Sequence, residues 1–499
     1  MPLMDSSFTA LPLHSLADAA LSRASALGAT HADLRVVRTK ALTRELRDAK
    51  LESSSDVSDL GLSVRVIHRG SWGFAAGFAL TTGEAERLAE QAVAMAQVAQ
   101  PLVPAEVQLA PEPVHADQTW VSAYEINPFE VPEAQRHARL TDLSRAVLDA
   151  DGVHHTTVSL LAVQENTFYA DTAGTSTTQQ RVRVEPMIEA THVGDDGFFS
   201  MKSVAPPAGR GWEYLTGTGW DFDAEVAQLP GLLLEHVKAP SVRAGRYDLV
   251  IEPTNLWLTI HESVAHGTEL DRALGYEAAY AGTSFATFDQ LGTLQYGSEL
   301  MNVTGDRLTE HGLSTVGFDD EGVAAQRFEI ISGGVLKGYQ LNRQMAAEKD
   351  LGRSNGCAYA DSAGHIPLQR MPNVSLAPDP EGPDVAELIA GVEHGLYVVG
   401  DNSWSIDMQR YNFQFTAQRF FAIENGELAG QVKDAAYQAT TTEFWGSMDA
   451  VGGPSTYLLA GTFSCGKGQP GQGAPVSHGS PAARFRDVNV LNTSSGGEL

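Results

Sequence analysis

His261 and His266 flank Glu262 in the run His261-Glu262-Ser263-Val264-Ala265-His266. Two neutral imidazoles are ligands that Zn²⁺ prefers, and a third protein ligand would leave one coordination position open to water. Zinc lowers the pKa of bound water towards about 7, so Glu262 can take that proton and return it to a leaving amine nitrogen. Such a set of groups is suited to hydrolysis of a peptide bond. The spacing imposes a condition on the helix. Residues four apart on a regular helix lie about 40° apart around its axis, and residues five apart about 140°. A shared metal therefore demands a π-bulge or similar irregularity between His261 and His266. The competing reading is an ordinary amphipathic helix that buries Leu256, Ile260 and Val264 and gives the two histidines no ligand role.

Cys465, Glu269, Asp271, His365 and His478 can each supply a third ligand. Cys465 is favoured, because the glycines of Gly461-Thr462-Phe463-Ser464-Cys465-Gly466-Lys467-Gly468 let backbone approach a metal and a thiolate binds zinc strongly. The same run lacks the Gly-Lys-Ser/Thr ending of a phosphate loop. Asp319-Asp320-Glu321-Gly322 lacks the spacing of a calcium loop and reads as a solvated turn.

Positioning these groups falls to a chain of 499 residues, long enough for two or three domains. Leu16 to Leu27 reads as a helix, and period-2 alternation marks Ala32 to Arg47 and Gly61 to Phe78 as antiparallel strands. Thr81-Thr82-Gly83-Glu84 opens a further helix as a capping box. A proline-rich connection from Gln100 to Val114 leads to a helix over Glu133 to Leu148 and to strands over Thr156 to Val163 and Arg181 to Glu189. Tyr247 to Ile251 is a compact strand, and Pro253-Thr254-Asn255 starts the helix of the histidines. Hairpins follow at Gly333-Gly334 and Asn425-Gly426, and the chain from Gly461 through His478 is a run of Gly, Pro and small residues. The expected fold is α+β: an N-terminal α+β domain with antiparallel strands and a β-rich C-terminal domain carrying the metal-binding helix. The expected boundaries are 1–110 for the N-terminal domain, 111–240 for a middle α+β region packed with it, 241–490 for the C-terminal domain and 491–499 for a frayed tail.

A formal charge of -28 repels phosphate backbones and anionic lipid, so no nucleic acid and no membrane is expected as a partner. Two cysteines, Cys357 and Cys465, fit a reducing compartment, and no stretch approaches the roughly 20 apolar residues of a bilayer span. A cytoplasmic location is expected.

The chain resembles the TldD/PmbA family, and specifically the TldD-like branch that keeps the motif of His261, Glu262 and His266. The resemblance extends through Asp33-Leu34-Arg35-Val36, Gly61 to Val66, Gly73-Phe74-Ala75, Glu269, Asp271 and Asp320-Glu321-Gly322-Val323. It continues in Arg370-Met371-Pro372-Asn373, Ile423-Glu424-Asn425-Gly426 and Cys465-Gly466-Lys467. It implies that His261, His266 and Cys465 hold one Zn²⁺ per chain, with Glu262 as the catalytic base. It implies cleavage of short or unfolded peptides, including leader removal from modified peptides, by a heterodimer with a TldE/PmbA-like paralogue or by a homodimer. Ala265 departs from the glycine of the family pattern, and Asp401 to Phe415 lacks its glycines. Two other readings use the same residues: a non-catalytic scaffold or regulatory subunit, and a zinc amidohydrolase acting on small molecules.

Overall fold

The computed structural model describes residues 3–195 and 197–494. Strands β1 (His31–Arg47), β2 (Lys50–His68) and β3 (Ser71–Gly77) form an antiparallel meander, in which β1 spans the expected residues and β2 begins well before the expected Gly61. They join β4 (Gln118–Val121), β5 (His155–Asp171), β6 (Ser176–Gly194) and β7 (Gly197–Lys202) in one seven-stranded sheet. Its order is β3-β2-β1-β5-β6-β4, with β7 also on β6.

The two faces of this sheet are chemically different. Leu34, Val36, Leu42 and Leu46 of β1, with Val158, Leu160, Phe168 and Ala170 of β5, share one face. Helices cover it: α1 (Ser6–Thr9), α2 (Leu13–Ala26) and α3 (Thr82–Ala99) at one end, α4 (Glu133–Leu148) and α5 (Phe222–Lys238) at the other. Thr81 caps α3 by accepting the Glu84 N–H, one half of the expected capping box, while the Glu84 carboxylate accepts from Arg87 and not from the Thr81 N–H. The opposite face carries Asp33, Arg35, Arg65, Glu165, Arg181 and Arg183, all buried and ion-paired. Gly73 of β3 lies against α3 so closely that a Cβ would stand 1.8 Å from the Ala92 carbonyl oxygen. Gly73→Ala is expected to cost about 1–3 kcal/mol as overpacking. An unchanged urea midpoint would mean that α3 moves aside freely.

After β8 (Gly245–Ile251) the chain enters α6 (Pro253–Ile260), the helix of the histidines. Every residue of α6 is buried, so it is a central helix and not the amphipathic one of the competing sequence reading. A small antiparallel sheet holds β9 (Val303–Asp306), β10 (Arg327–Ser332) and β11 (Val335–Leu336), the last two turning at Gly333 and Gly334, both at positive φ. After the short pair β12 (Ala358–Tyr359) and β13 (Leu368–Gln369), strand β14 (Asn373–Leu376) completes that sheet beside β9.

The last strands are β15 (His394–Ile406), β16 (Asn412–Glu424), β17 (Glu427–Val432), β18 (Ala435–Thr440), β19 (Met448–Val451), β20 (Leu458–Lys467), β21 (Gln472–Ser480) and β22 (Ala483–Asn492). All but β20 and β21, which pair as a separate hairpin, join β8 in a second seven-stranded sheet with the path β15-β8-β22-β18-β16-β17 and β19 also on β22. Strand β16 pairs with β15 as well as β18, so the sheet closes on itself. The expected α+β class, with a β-rich C-terminal part carrying the histidine helix, is the one observed. Residues 495–499 of the expected frayed tail lie outside the described residues.

The Gly-rich run from Gly461 through His478 is the hairpin of β20 and β21. Gly461 serves close packing, since a Cβ there would stand 2.1 Å from the Val476 carbonyl oxygen. Asp319-Asp320-Glu321-Gly322 is a buried turn, not a solvated one. Asp320 pairs with Arg35 and Glu321 with Arg65, which seats this turn on the charged face of the N-terminal sheet.

Candidate metal centre

The helix that begins at Pro253 widens at the motif, as the five-residue spacing requires. His261–Ala265 form a π-turn, and His266–Thr268 tighten into a 3₁₀ turn. Carbonyls released by this break are taken by side chains. Tyr296 Oη donates to the Ser263 carbonyl, Thr268 Oγ1 to that of Val264 and Gln340 Nε2 to that of Ala265. Ala265, where the family pattern has glycine, sits at φ -64° and ψ -50°, ordinary helical backbone that a Cβ tolerates.

The widened turn brings the two imidazoles together, with ring centroids 4.7 Å apart. Cys465 reaches them from β20, its Sγ 3.7 Å from His266 Nε2. One ligand atom from each of His261, His266 and Cys465 lies within 4.8 Å of the others, and all three residues are buried. Hydrogen bonds set the tautomers. His478 Nδ1 lies 2.9 Å from the Val374 carbonyl, which can only accept, so His478 Nε2 is the acceptor for His261 Nδ1–H at 2.8 Å. His266 Nδ1–H donates to Glu269 Oε2 at 2.9 Å. Both imidazoles thus keep Nε2 free, and two nitrogen lone pairs with one thiol form a donor set suited to a divalent metal.

Charge around the centre is high and largely hidden. Burial, then the neighbouring His266, holds the His261 imidazole well below its ordinary range. Burial likewise lowers His266 against the pull of Glu269, and it lowers His478 to about 4, so all three rings are neutral near pH 7. Burial raises the Cys465 thiol to about 11 in the metal-free protein, with Arg370 opposing. Burial also raises the Glu262 carboxyl, against the Arg410 guanidinium whose Nη1 stands 2.6 Å from Glu262 Oε2. Lys467, with no exposed side-chain surface, bonds Glu269 Oε1 at 3.0 Å and Asp271 Oδ1 at 2.8 Å. Burial would raise Glu269, but Lys467, His266 and Arg272 outweigh it and hold that carboxyl well below the usual range.

Of the five candidates for third ligand, Cys465 alone joins the histidine pair among the described residues. His478 stands behind His261, Glu269 behind His266, and Asp271 on Lys467. His365 is paired with Asp361 at 2.6 Å in another part of the fold. Arg410, Lys467 and Trp404 were not singled out as site residues by sequence reasoning. Lys467 was visible two places after Cys465, whereas nothing local marks Arg410.

With this geometry in place, the relatives can be compared. The PmbA/TldA metallopeptidase C-terminal domain matches residues 244–492, and domain 1 of the same metallopeptidases matches residues 32–96. The chain belongs to the PmbA/TldD metallopeptidase family. A family relative named metalloprotease, from Methanothermobacter thermautotrophicus, is 29% identical over 464 residues, covering 93% of this chain and 96% of its own. A zinc metalloprotease TldD homolog from Saccharolobus solfataricus is 24% identical over 485 residues, covering 94% of this chain and 98% of its own. TldE from Thermococcus kodakarensis shares the fold with a TM-score of 0.71 at 15% identity, covering 94% of this chain and 98% of its own. Among the described residues, no helix is long and apolar enough to cross a membrane.

Proposed function

We propose that the protein is a zinc peptidase that hydrolyses short or unfolded peptides, with one Zn²⁺ per chain held by His261, His266 and Cys465. The observation that carries this reading is the convergence of two free imidazole Nε2 atoms and a thiol beside a buried carboxylate. Zinc bound there supplies Lewis acidity towards a peptide carbonyl and acidifies water. Glu262 receives the proton of the attacking water and passes it to the leaving nitrogen. Glu269 and His478 orient the two imidazoles.

Access supports the substrate class. His261, Glu262 and His266 are each only 5% exposed, which suits a slender chain better than a folded surface. Trp404 lies beside Glu262 and is 55% exposed, offering an apolar rim to a peptide. An intact base argues for catalysis over a scaffold role. A second chain, either a TldE/PmbA-like paralogue or a copy of this one, is part of the same proposal, supported by the fold shared with TldE, as is a cytoplasmic location.

The first experiment is elemental analysis of the purified protein beside His266→Ala, followed by a panel of unstructured peptides and small amides. About one zinc per chain, lost in the variant, with peptides consumed and amides spared, is the expected result. A zinc-free protein after supply of the metal under reducing conditions would sink the proposal. His478→Phe, which keeps a ring against Trp257 but removes the acceptor for His261, is expected to weaken metal binding about 10–100-fold. Chelator competition measures this, and equal affinities would remove His478 from the support of the site.

A further inference from the structure

Arg410 occupies the turn between β15 and β16 with φ 64°, a left-handed conformation that only a few per cent of non-glycine residues adopt. The turn is fastened from several sides. The Asp407 carboxylate accepts the backbone N–H groups of Gln409, Tyr411 and Asn412. Thr441 Oγ1 donates to the Arg410 carbonyl at 2.8 Å, and the N–H groups of Thr283 and Phe285 donate to Met408 and Gln409 carbonyls. Strain held this firmly in a non-glycine residue is a feature of functional sites. The side chain it presents is 13% exposed and places Nη1 2.6 Å from Glu262 Oε2. Its Nε is buried and has no hydrogen-bond partner among the described residues. The same guanidinium acts electrostatically on His261, His266 and Cys465, so it borders the whole centre.

We propose that Arg410 is a catalytic residue that binds the oxygen of the scissile carbonyl as that oxygen becomes an oxyanion. This role rests on the peptidase reading above. When water attacks, a C–O bond forms, the carbonyl π pair moves onto the carbonyl oxygen, and the water proton passes to Glu262. One negative charge leaves Glu262 and one appears on the substrate oxygen. A cation paired with Glu262 beforehand releases its Nη1–H as that carboxylate is neutralised and can turn it to the new anion beside it. The plain structural alternative is that Arg410 only neutralises a buried Glu262.

The two differ in what they do to a tetrahedral anion. Arg410→Met and Arg410→Ala in the zinc-loaded protein are to be compared with wild type for metal content, kcat and KM on a cleaved peptide. Affinity for a phosphinic peptide of the same sequence, and the response of Arg410→Ala to added guanidinium, complete the comparison. The expected result is unchanged metal, kcat lower by about 10²–10³-fold with KM within a few-fold. Phosphinic affinity should fall by the same factor as kcat/KM, and guanidinium should restore part of the activity. Phosphinic binding equal to wild type, or a kcat loss that guanidinium leaves untouched in a protein that still binds metal, would overturn the role. A zinc-loaded wild type that cleaves no peptide would remove the peptidase reading and this role with it. An active wild type with unaltered Arg410 variants would overturn the role alone.

Discussion

Glu262→Gln is expected to retain its metal and to lose about 10²–10⁴-fold in peptide turnover. Gln fills the same volume, so the π-turn and the imidazoles on either side of it have no reason to move. Its amide oxygen can still accept the Arg410 Nη1–H, which stands 2.6 Å from the carboxylate in the wild type. What the amide cannot do is accept a proton from water and deliver it to a leaving nitrogen. The loss should therefore fall on kcat, with KM little changed. Zinc content at wild-type level together with turnover within tenfold of wild type would remove Glu262 from the base role and bring the scaffold reading forward.

Lys467→Met is expected to be the most destabilising single change near the site, by about 3–5 kcal/mol, because it leaves the buried Asp271 without its ion-pair partner and Glu269 with Arg272 as its remaining fixed cation. The ammonium is shared between Glu269 and Asp271, and Gln369 Oε1 stands at 3.4 Å. Glu269 in turn fixes the His266 tautomer, so metal affinity should fall along with stability. Denaturant unfolding of the metal-free protein reads the first effect, and chelator competition the second. Lys467→Met with Asp271→Asn should recover part of the loss, since one of the stranded charges is then gone. A single variant as stable as wild type would mean that both carboxyls are protonated in the native state.

The irregular helix was legible in the sequence because five residues cannot bring two side chains to one face of a regular helix, so function and geometry together demanded the π-turn. The long strands were legible only in part. Strand β1 was read almost whole, whereas on β5, expected over Thr156 to Val163 and observed to Asp171, the second face is charged yet buried, so residues such as Glu165 resembled a solvent face. The same confusion made Asp319 to Gly322 read as solvated, when its partners lay on Arg35 and Arg65, far away in sequence. The β20–β21 hairpin was masked by glycines such as the closely packed Gly461, which composition alone equates with loops. Arg410 was missed for a different reason. It meets Glu262 across 148 positions of chain, and its left-handed backbone has no signature in a residue that is not glycine.

The unlike faces of the N-terminal sheet impose different rules of change on one stretch of chain. Behind the helices, an exchange such as Leu34→Ile alters shape alone and can be absorbed by repacking around it. On the other face Arg65 holds Asp33 and Glu321 together, so a single replacement strands a charge in a second domain. Substitutions there are tolerated in compensating pairs, and for Arg35 with Asp320 and Arg65 with Glu321 the partner lies hundreds of residues away. Along β1, successive residues are therefore free to drift singly or bound to change in concert according to which way they point.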